Sequence, residues 1–294
     1  MTASTGAQAT DTARPVAARA QFVPLSAQVG MEVRGVDLSG PVDEATFAGI
    51  RDALFGHCVI LLRGQSLSEE DQVGFASRLG ELGRVLHAHK GASKHHPGVM
   101  FISNIRENGE PIGALPDGEM MFHHDMIHHQ KPHNGTLLYS LEIPSWGGDT
   151  LFASGYAAYE ALDPALRAKL EGKRARHHYN YGSTQRGDGK GTDAFAESIH
   201  PIFRTHEDTG RKAIYVNRLM TTGIEGMDDA EAAPILEKLF DVSESPEFVY
   251  THKWRVGDVL LWDNRCSTHA RTDFPDNERR LMLRTTVAGT VIPY

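Results

Sequence analysis

Short apolar runs alternate along this chain with polar segments rich in Gly, Pro and Asp. Two early stretches keep a helical period. Over residues 43–55, Phe47, Ile50 and Leu54 fall on one face, and Gly56 offers an end. From Ser68, the Ser68-x-x-Asp71 spacing of a capping box leads into Phe75, Ala76 and Leu79 on one side, with Gly80 as terminator. Residues 155–170 predict a helix interrupted at Asp163-Pro164, and 229–240 predict another. The runs at 59–62, 99–103, 136–143, 213–217, 248–254, 259–262 and 281–287 read as strands. Many short strands between turn residues predict a mainly β fold with flanking helices, a sandwich or jelly roll, rather than an alternating βαβ protein. The chain has neither a GxGxxG after a strand nor a GxxxxGK[ST], so nucleotide-binding folds lose their main support.

Residues 1–20 carry no apolar period and predict a disordered tail, leaving a single domain over 21–294. Within 180–200, a polar, Gly-rich stretch is long for a connection and reads as a lid, a substrate loop or a disordered segment. Composition then narrows the function. Hydrophobic residues make up 40% and charged residues 23%, as in soluble globular proteins. No apolar run approaches the ~20 residues of a membrane span, and the N-terminus lacks the apolar stretch of a secretory signal. A net charge of −8 without Lys/Arg blocks argues against nucleic acid as a partner. Cys58 and Cys266 are the only cysteines, which excludes a disulfide scaffold and a four-cysteine zinc site and makes a cytoplasmic location the expectation.

The 16 histidines point to chemistry, because histidine is the commonest metal ligand. They are densest in Phe122-His123-His124-Asp125-Met126-Ile127-His128-His129. On a strand, His123 and Asp125 would share a face ~6.6 Å apart and reach one metal. An imidazole and a carboxylate suit iron(II) better than a structural zinc, which favours thiolates. Alone this pair is weak, and surface histidines on a polar strand are the plain alternative. His269, after the apolar run ending in Trp262-Asp263-Asn264-Arg265, is the candidate third ligand. Two His and one carboxylate would then leave open positions, as in non-haem iron(II) oxygenases. In Arg279-Arg280-Leu281-Met282-Leu283-Arg284, a strand would put Arg280, Met282 and Arg284 on one face, which is either solvated or an anion site.

Taken together, HHD at 123–125, GGDT at 147–150, WDNR at 262–265, His269 and RRLMLR at 279–284 resemble the taurine dioxygenase / 2,4-dichlorophenoxyacetate dioxygenase family. The likeness begins at VGMEVRGVDLSGP, continues through VILLRGQSLSEEDQVGFASRLG and runs to Gly289. It implies a double-stranded β-helix (a cupin-like jelly roll), with Fe(II), the cosubstrate 2-oxoglutarate and O2. His123, Asp125 and His269 match the metal ligands, which are also the catalytic centre. Thr150 and Arg280 match the residues that hold the distal carboxylate of 2-oxoglutarate. Arg284 and His89 match residues that grip an anionic substrate group, and Met126 is a candidate for the pocket lining. The chain departs from the usual Trp-His-Thr-Asp with Phe122-His123-His124-Asp125, which bears on the substrate rather than the metal. The resemblance further implies hydroxylation of a small, anionic organic molecule with release of succinate and CO2, and a homo-oligomer, dimer or tetramer. The retained Asp125 argues against halogenation. Two other readings stay open on the residues alone: a zinc-dependent hydrolase using the same cluster, and a non-enzymatic jelly-roll protein binding a small acid.

Overall fold

The computed structural model describes residues 20–83, 96–114, 118–179, 183–185 and 197–294. Local signals set the helices. Asp43 accepts from the Thr46 N–H and opens α1 (Glu44–His57), which buries Phe47, Ile50 and Leu54. The helix runs past Gly56 and stops at Cys58, whose φ of 70° turns the chain away. Ser68 and Asp71 form the capping box of α2 (Glu69–Ser77). Pro164 splits the next helical stretch into α3 (Gly155–Ala161) and α4 (Pro164–Leu170), since proline suits a first turn but cannot continue one. Asp228 caps α5 (Asp229–Ser243), which extends beyond residue 240.

The strands of the two main sheets are, in chain order, β1 (Gln21–Pro24), β2 (Met31–Arg34), β3 (Val59–Leu62), β4 (Met100–Ser103), β5 (Met120–His123), β6 (Gly135–Glu142), β7 (Thr150–Ser154), β8 (Val249–His252), β9 (Val259–Asp263), β10 (Ser267–Arg271) and β11 (Leu281–Val287). The larger sheet runs β1-β2-β3-β9-β6-β11-β4 and the smaller β8-β7-β10-β5. Neighbours are antiparallel except β2 and β3. The two sheets form the double-stranded β-helix of a jelly roll.

Layering explains why the central strands read as unbroken apolar runs rather than alternating ones. Ile60, Leu62, Leu137, Tyr139, Val259, Leu261 and Leu283 belong to the core that includes Phe47, Ile50 and Leu54 of α1 and Phe75 of α2. Their neighbours Val59, Leu61, Leu138, Leu260, Trp262 and Met282 pack with Phe152 of the smaller sheet. A strand covered on both faces needs apolar residues at every position. A third core, including Ile214, Leu236 and Phe240, joins α3, α4 and α5 to the strands beside them.

Three strands of the smaller sheet, β5, β7 and β10, have no clear signal in the sequence. Buried positions in Thr150–Ser154 and Ser267–Arg271 include Thr150, Ser154, Ser267, Thr268 and Arg271, so neither apolar alternation nor an apolar run marks them. The 213–217 run pairs only over Lys212–Ile214, and 248–254 shortens to β8 after a 3-10 turn at Pro246–Phe248. No described helix is long and apolar enough to cross a membrane. Residues 1–19 of the expected tail, and 180–182 and 186–196 of the expected lid, lie outside the described residues.

Candidate active site

Cross-strand pairing brings together residues far apart in sequence. β5 and β10 are adjacent in the smaller sheet, and their register sets His123 directly opposite His269. The imidazole centroids lie 4.1 Å apart. Asp125 joins them, and ligand atoms of His123, Asp125 and His269 all lie within 4.8 Å of one another. The expected strand geometry for Asp125 is corrected here: β5 ends at His123, and Asp125 sits in the turn that follows. Met126 in that turn has φ of 59°, a left-handed conformation that re-aims the chain. His124 points elsewhere, buried with its ring 4.5 Å from that of Tyr215 and its Nδ1 3.2 Å from Asn217 Nδ2.

The protonation states suit a divalent cation. His123 Nδ1 lies 2.9 Å from the Met121 carbonyl and donates to it, which leaves the lone pair on the other ring nitrogen. Burial pushes both His123 and His269 below the usual imidazole range. Burial alone would raise Asp125, but the Arg284 guanidinium, then His269 and His123, hold it well below the usual carboxylate range. Two neutral imidazoles and one ionised carboxylate are what a metal requires. His269 Nδ1 is buried with no hydrogen-bond partner, an orphaned atom for which a cation gives a reason. The donor set of two nitrogens and one oxygen, without thiolate, fits Fe(II). Thr136 Oγ1 donates to Asp125 Oδ2 at 2.7 Å and occupies that oxygen, while Oδ1 faces Arg284 Nη2 at 2.6 Å.

A second group can hold a carboxylate. Arg280 directly precedes β11 and is 2% exposed, yet its Nε and Nη1 have no hydrogen-bond partner. Burial, and then Arg271, pull its pKa down to about 9. A buried guanidinium with unmet donors is costly and calls for an anion. Gly148 lies beside Arg280, and its φ of 63° is a left-handed conformation that favours glycine. Gly147 has φ of 70° and would clash with the Asp273 carbonyl if it carried a side chain. Thr150 follows at the start of β7, opposite Arg271 in register. Trp254 Nε1 donates to Thr150 Oγ1 at 3.0 Å, so the Thr150 proton remains free to donate to an anion. Arg280 and Thr150 thus each keep donors of the kind a carboxylate takes up.

Arg284 turns to the ligand cluster, where it pairs with Asp125, and keeps part of its side chain open to solvent. His89 lies outside the described residues. Sequence alone assigns no role to Thr136, Trp254 or Asn264, although Asn264 lies within WDNR. The one cue was polarity out of place: a Thr ahead of the apolar Leu137, Leu138 and Tyr139, and an Asn between the charged residues of WDNR. A second metal-like group, His206, Asp263 and Cys266, already holds a cation, because Arg265 grips Asp263 through Nε at 2.9 Å and Nη2 at 2.7 Å. Both cysteines are buried and free.

Three further histidines, His128, His133 and His200, sit in surroundings that disfavour their charged form, with a consequence for stability. Burial lowers His128 to about 3 and His133 to about 4. His200 falls to about 4 through burial, although its Nε2 donates to the His129 carbonyl at 2.9 Å. The Nδ1 of each has no partner to receive a second proton's hydrogen bond. Unfolded imidazoles titrate near 6.5, so between about 6.5 and about 4 the unfolded chain binds more protons and stability falls with pH. At ~1.4 kcal/mol per pKa unit, the sum is several kcal/mol. The melting temperature should drop by ~10 °C or more from pH 7.5 to about 4.5. His200→Gln should flatten that slope in calorimetric scans; an unchanged slope would remove His200 from the account.

Residues 21–286 match the model of the taurine catabolism dioxygenase TauD, TfdA family. An (S)-phenoxypropionate/alpha-ketoglutarate-dioxygenase from Delftia acidovorans is 32% identical over 288 residues, covering 92% of this chain and 95% of its own. A pentalenolactone F synthase from Streptomyces avermitilis is 34% identical over 279 residues, covering 88% of this chain and 90% of its own. The crystal structure of a taurine dioxygenase from Burkholderia xenovorans superposes with a TM-score of 0.78 at 33% identity, over 93% of this chain and 92% of the other. The chain belongs to the taurine catabolism dioxygenase TauD, TfdA family: it is a 2-oxoglutarate-dependent dioxygenase acting on small organic substrates with Fe(II), 2-oxoglutarate and O2.

Proposed function

We propose that this enzyme hydroxylates a small organic substrate carrying an anionic group, with His123, Asp125 and His269 holding Fe(II). The observation that carries the reading is Arg284: its guanidinium lies 2.6 Å from Asp125 and its side chain is 22% exposed. A partly open cation beside the metal ligands can draw an anionic head group to the reacting centre. The named substrate of the Delftia relative, (S)-phenoxypropionate, is such an anion. Arg280 and Thr150 would hold the distal carboxylate of 2-oxoglutarate. In balance, substrate C–H, O2 and 2-oxoglutarate give substrate C–OH, succinate and CO2. Bound Fe(II) would supply the one-electron chemistry that activates O2; the protein's part is to orient both acids and fix which C–H bond is nearest.

Family membership displaces the zinc hydrolase and the non-enzymatic binding protein. The test is spectroscopic. Without oxygen, adding 2-oxoglutarate to the Fe(II)-loaded protein should raise a weak visible charge-transfer band. A folded, iron-bound protein without that band would overturn the assignment. A panel of sulfonates, aryloxyalkanoates, amino acids and other small acids, against neutral analogues, then tests the substrate class through stimulated succinate release. Stimulation by the neutral analogues alone would exclude an anionic substrate.

A further inference from the structure

Of the WDNR motif, Trp262 packs beside His269 with ring centroids 4.7 Å apart, and Asp263 and Arg265 lock each other. Asn264 lies between the locked pair, fully buried, and its side chain reaches across to the turn that carries Asp125. Its Oδ1 accepts from the Asp125 N–H at 2.7 Å. Its Nδ2 donates to the Asp125 carbonyl at 2.8 Å and to the His133 carbonyl at 2.9 Å. Its own N–H donates to the Asn134 carbonyl at 2.9 Å. The amide spends both of its donors and one of the two lone pairs of its oxygen on these backbone groups.

We propose that Asn264 is a positioning residue that holds the Asp125 peptide, and so the metal carboxylate, at a fixed distance from His269. The inference rests on the metal assignment for His123, Asp125 and His269. Asp125 has left the β5 ladder, so no neighbouring strand pairs with its backbone. The Asn264 amide supplies the same two-bond pairing that a strand would. The next residue, Met126, sits at φ of 59°, which a side chain resists. Held on both sides of its Cα, Asp125 cannot relax when that turn does. The clamp also starts from the turn that opens β10, the strand bearing His269, so one side chain sets the spacing between two ligands. Thr136 fixes the carboxylate's rotation and Asn264 fixes its backbone. Neither aspartate nor glutamine preserves the pattern: the first lacks donors, and the second is one methylene too long.

The test uses Mn(II) as an air-stable probe, titrated into the full-length protein with free ion counted by electron paramagnetic resonance. Asn264→Ala and Asn264→Ser should bind Mn(II) ~10–100-fold more weakly than wild type. Adding Met126→Gly to Asn264→Ala relieves the left-handed turn and should recover part of that loss, which a general packing role would not do. Affinity within about twofold of wild type in a folded Asn264→Ala would overturn the proposal. So would a loss that Met126→Gly leaves untouched while the single Met126→Gly variant binds normally. Should the Asn264 variants fold only when Mn(II) is supplied, the coupling of clamp to metal is shown by the metal-dependent melting itself. Failure to fold with metal as well makes Asn264 purely structural. A wild-type protein that binds no Mn(II) would instead refute the metal assignment.

Discussion

Asp125→Ala abolishes 2-oxoglutarate-dependent succinate release and strips the protein of iron. Asp125 is the one ionised ligand of the cluster, and its Oδ1 also faces Arg284 at 2.6 Å. Removing it leaves two neutral imidazoles beside an unopposed guanidinium, so the cavity repels the cation it formerly attracted. A unit pair of charges at ~4 Å with an effective dielectric constant of ~20 is worth about 4 kcal/mol, or ~10³-fold in metal affinity. The divalent charge and the exposed repulsion from Arg284 both add to that figure. Metal content after gel filtration and succinate release are the readouts. Asp125→Asn serves as the isosteric control for packing, because it retains an acceptor for Thr136 Oγ1. Iron affinity within about tenfold of wild type, with turnover intact, would place the metal elsewhere.

How the sequence announces these features depends on how local they are. Asp43, Ser68, Asp163-Pro164 and Asp228 act within one turn of the helices they start, so the helices were legible to within a few residues. The apolar runs 59–62 and 259–262 were legible for a different reason: both faces of those strands are covered. Three of the four strands of the smaller sheet, β5, β7 and β10, were not. They carry candidate ligands and polar site residues, so they forgo the apolar pattern that marks a strand. The pairing of His123 with His269 depends on β5 and β10 meeting after about half of the chain has intervened, and no residue near either one encodes that register. Motifs in a familiar order supplied what periodicity could not. They pointed to His123, Asp125, His269, Thr150 and Arg280 but gave no role to Thr136, or to Asn264 within WDNR, both of which hydrogen-bond to Asp125. The strand assumption for Asp125 failed at the point where backbone geometry serves the site instead of the sheet, with Met126 in a left-handed turn.

Arg280→Leu raises the 2-oxoglutarate requirement by ~10² to 10³-fold, and it raises the melting temperature of the protein measured without 2-oxoglutarate. The two effects have one cause. Arg280 is buried, its Nε and Nη1 lack partners, and burial followed by the nearby Arg271 pulls its pKa down to about 9. Carrying that charge costs the fold energy that an apolar side chain does not, and replacing buried ions by hydrophobic residues is commonly neutral or stabilising by ~1–4 kcal/mol. A bound carboxylate would reverse the balance by meeting both unmet donors, an interaction whose loss costs ~3–5 kcal/mol when one partner of a buried pair is removed. Wild-type protein should therefore gain ~2.7 kcal/mol from 2-oxoglutarate at about a hundred times its dissociation constant, and the variant almost nothing. Arg280→Lys separates charge from shape: it keeps the cation but not the planar fork, so its requirement should fall between the two. Thermal scans with and without 2-oxoglutarate, in the presence of Mn(II), read both halves at once. An unchanged requirement in Arg280→Leu would remove the distal carboxylate from this pocket. A lowered melting temperature in 2-oxoglutarate-free protein would mean that some group of the fold already pairs with the guanidinium.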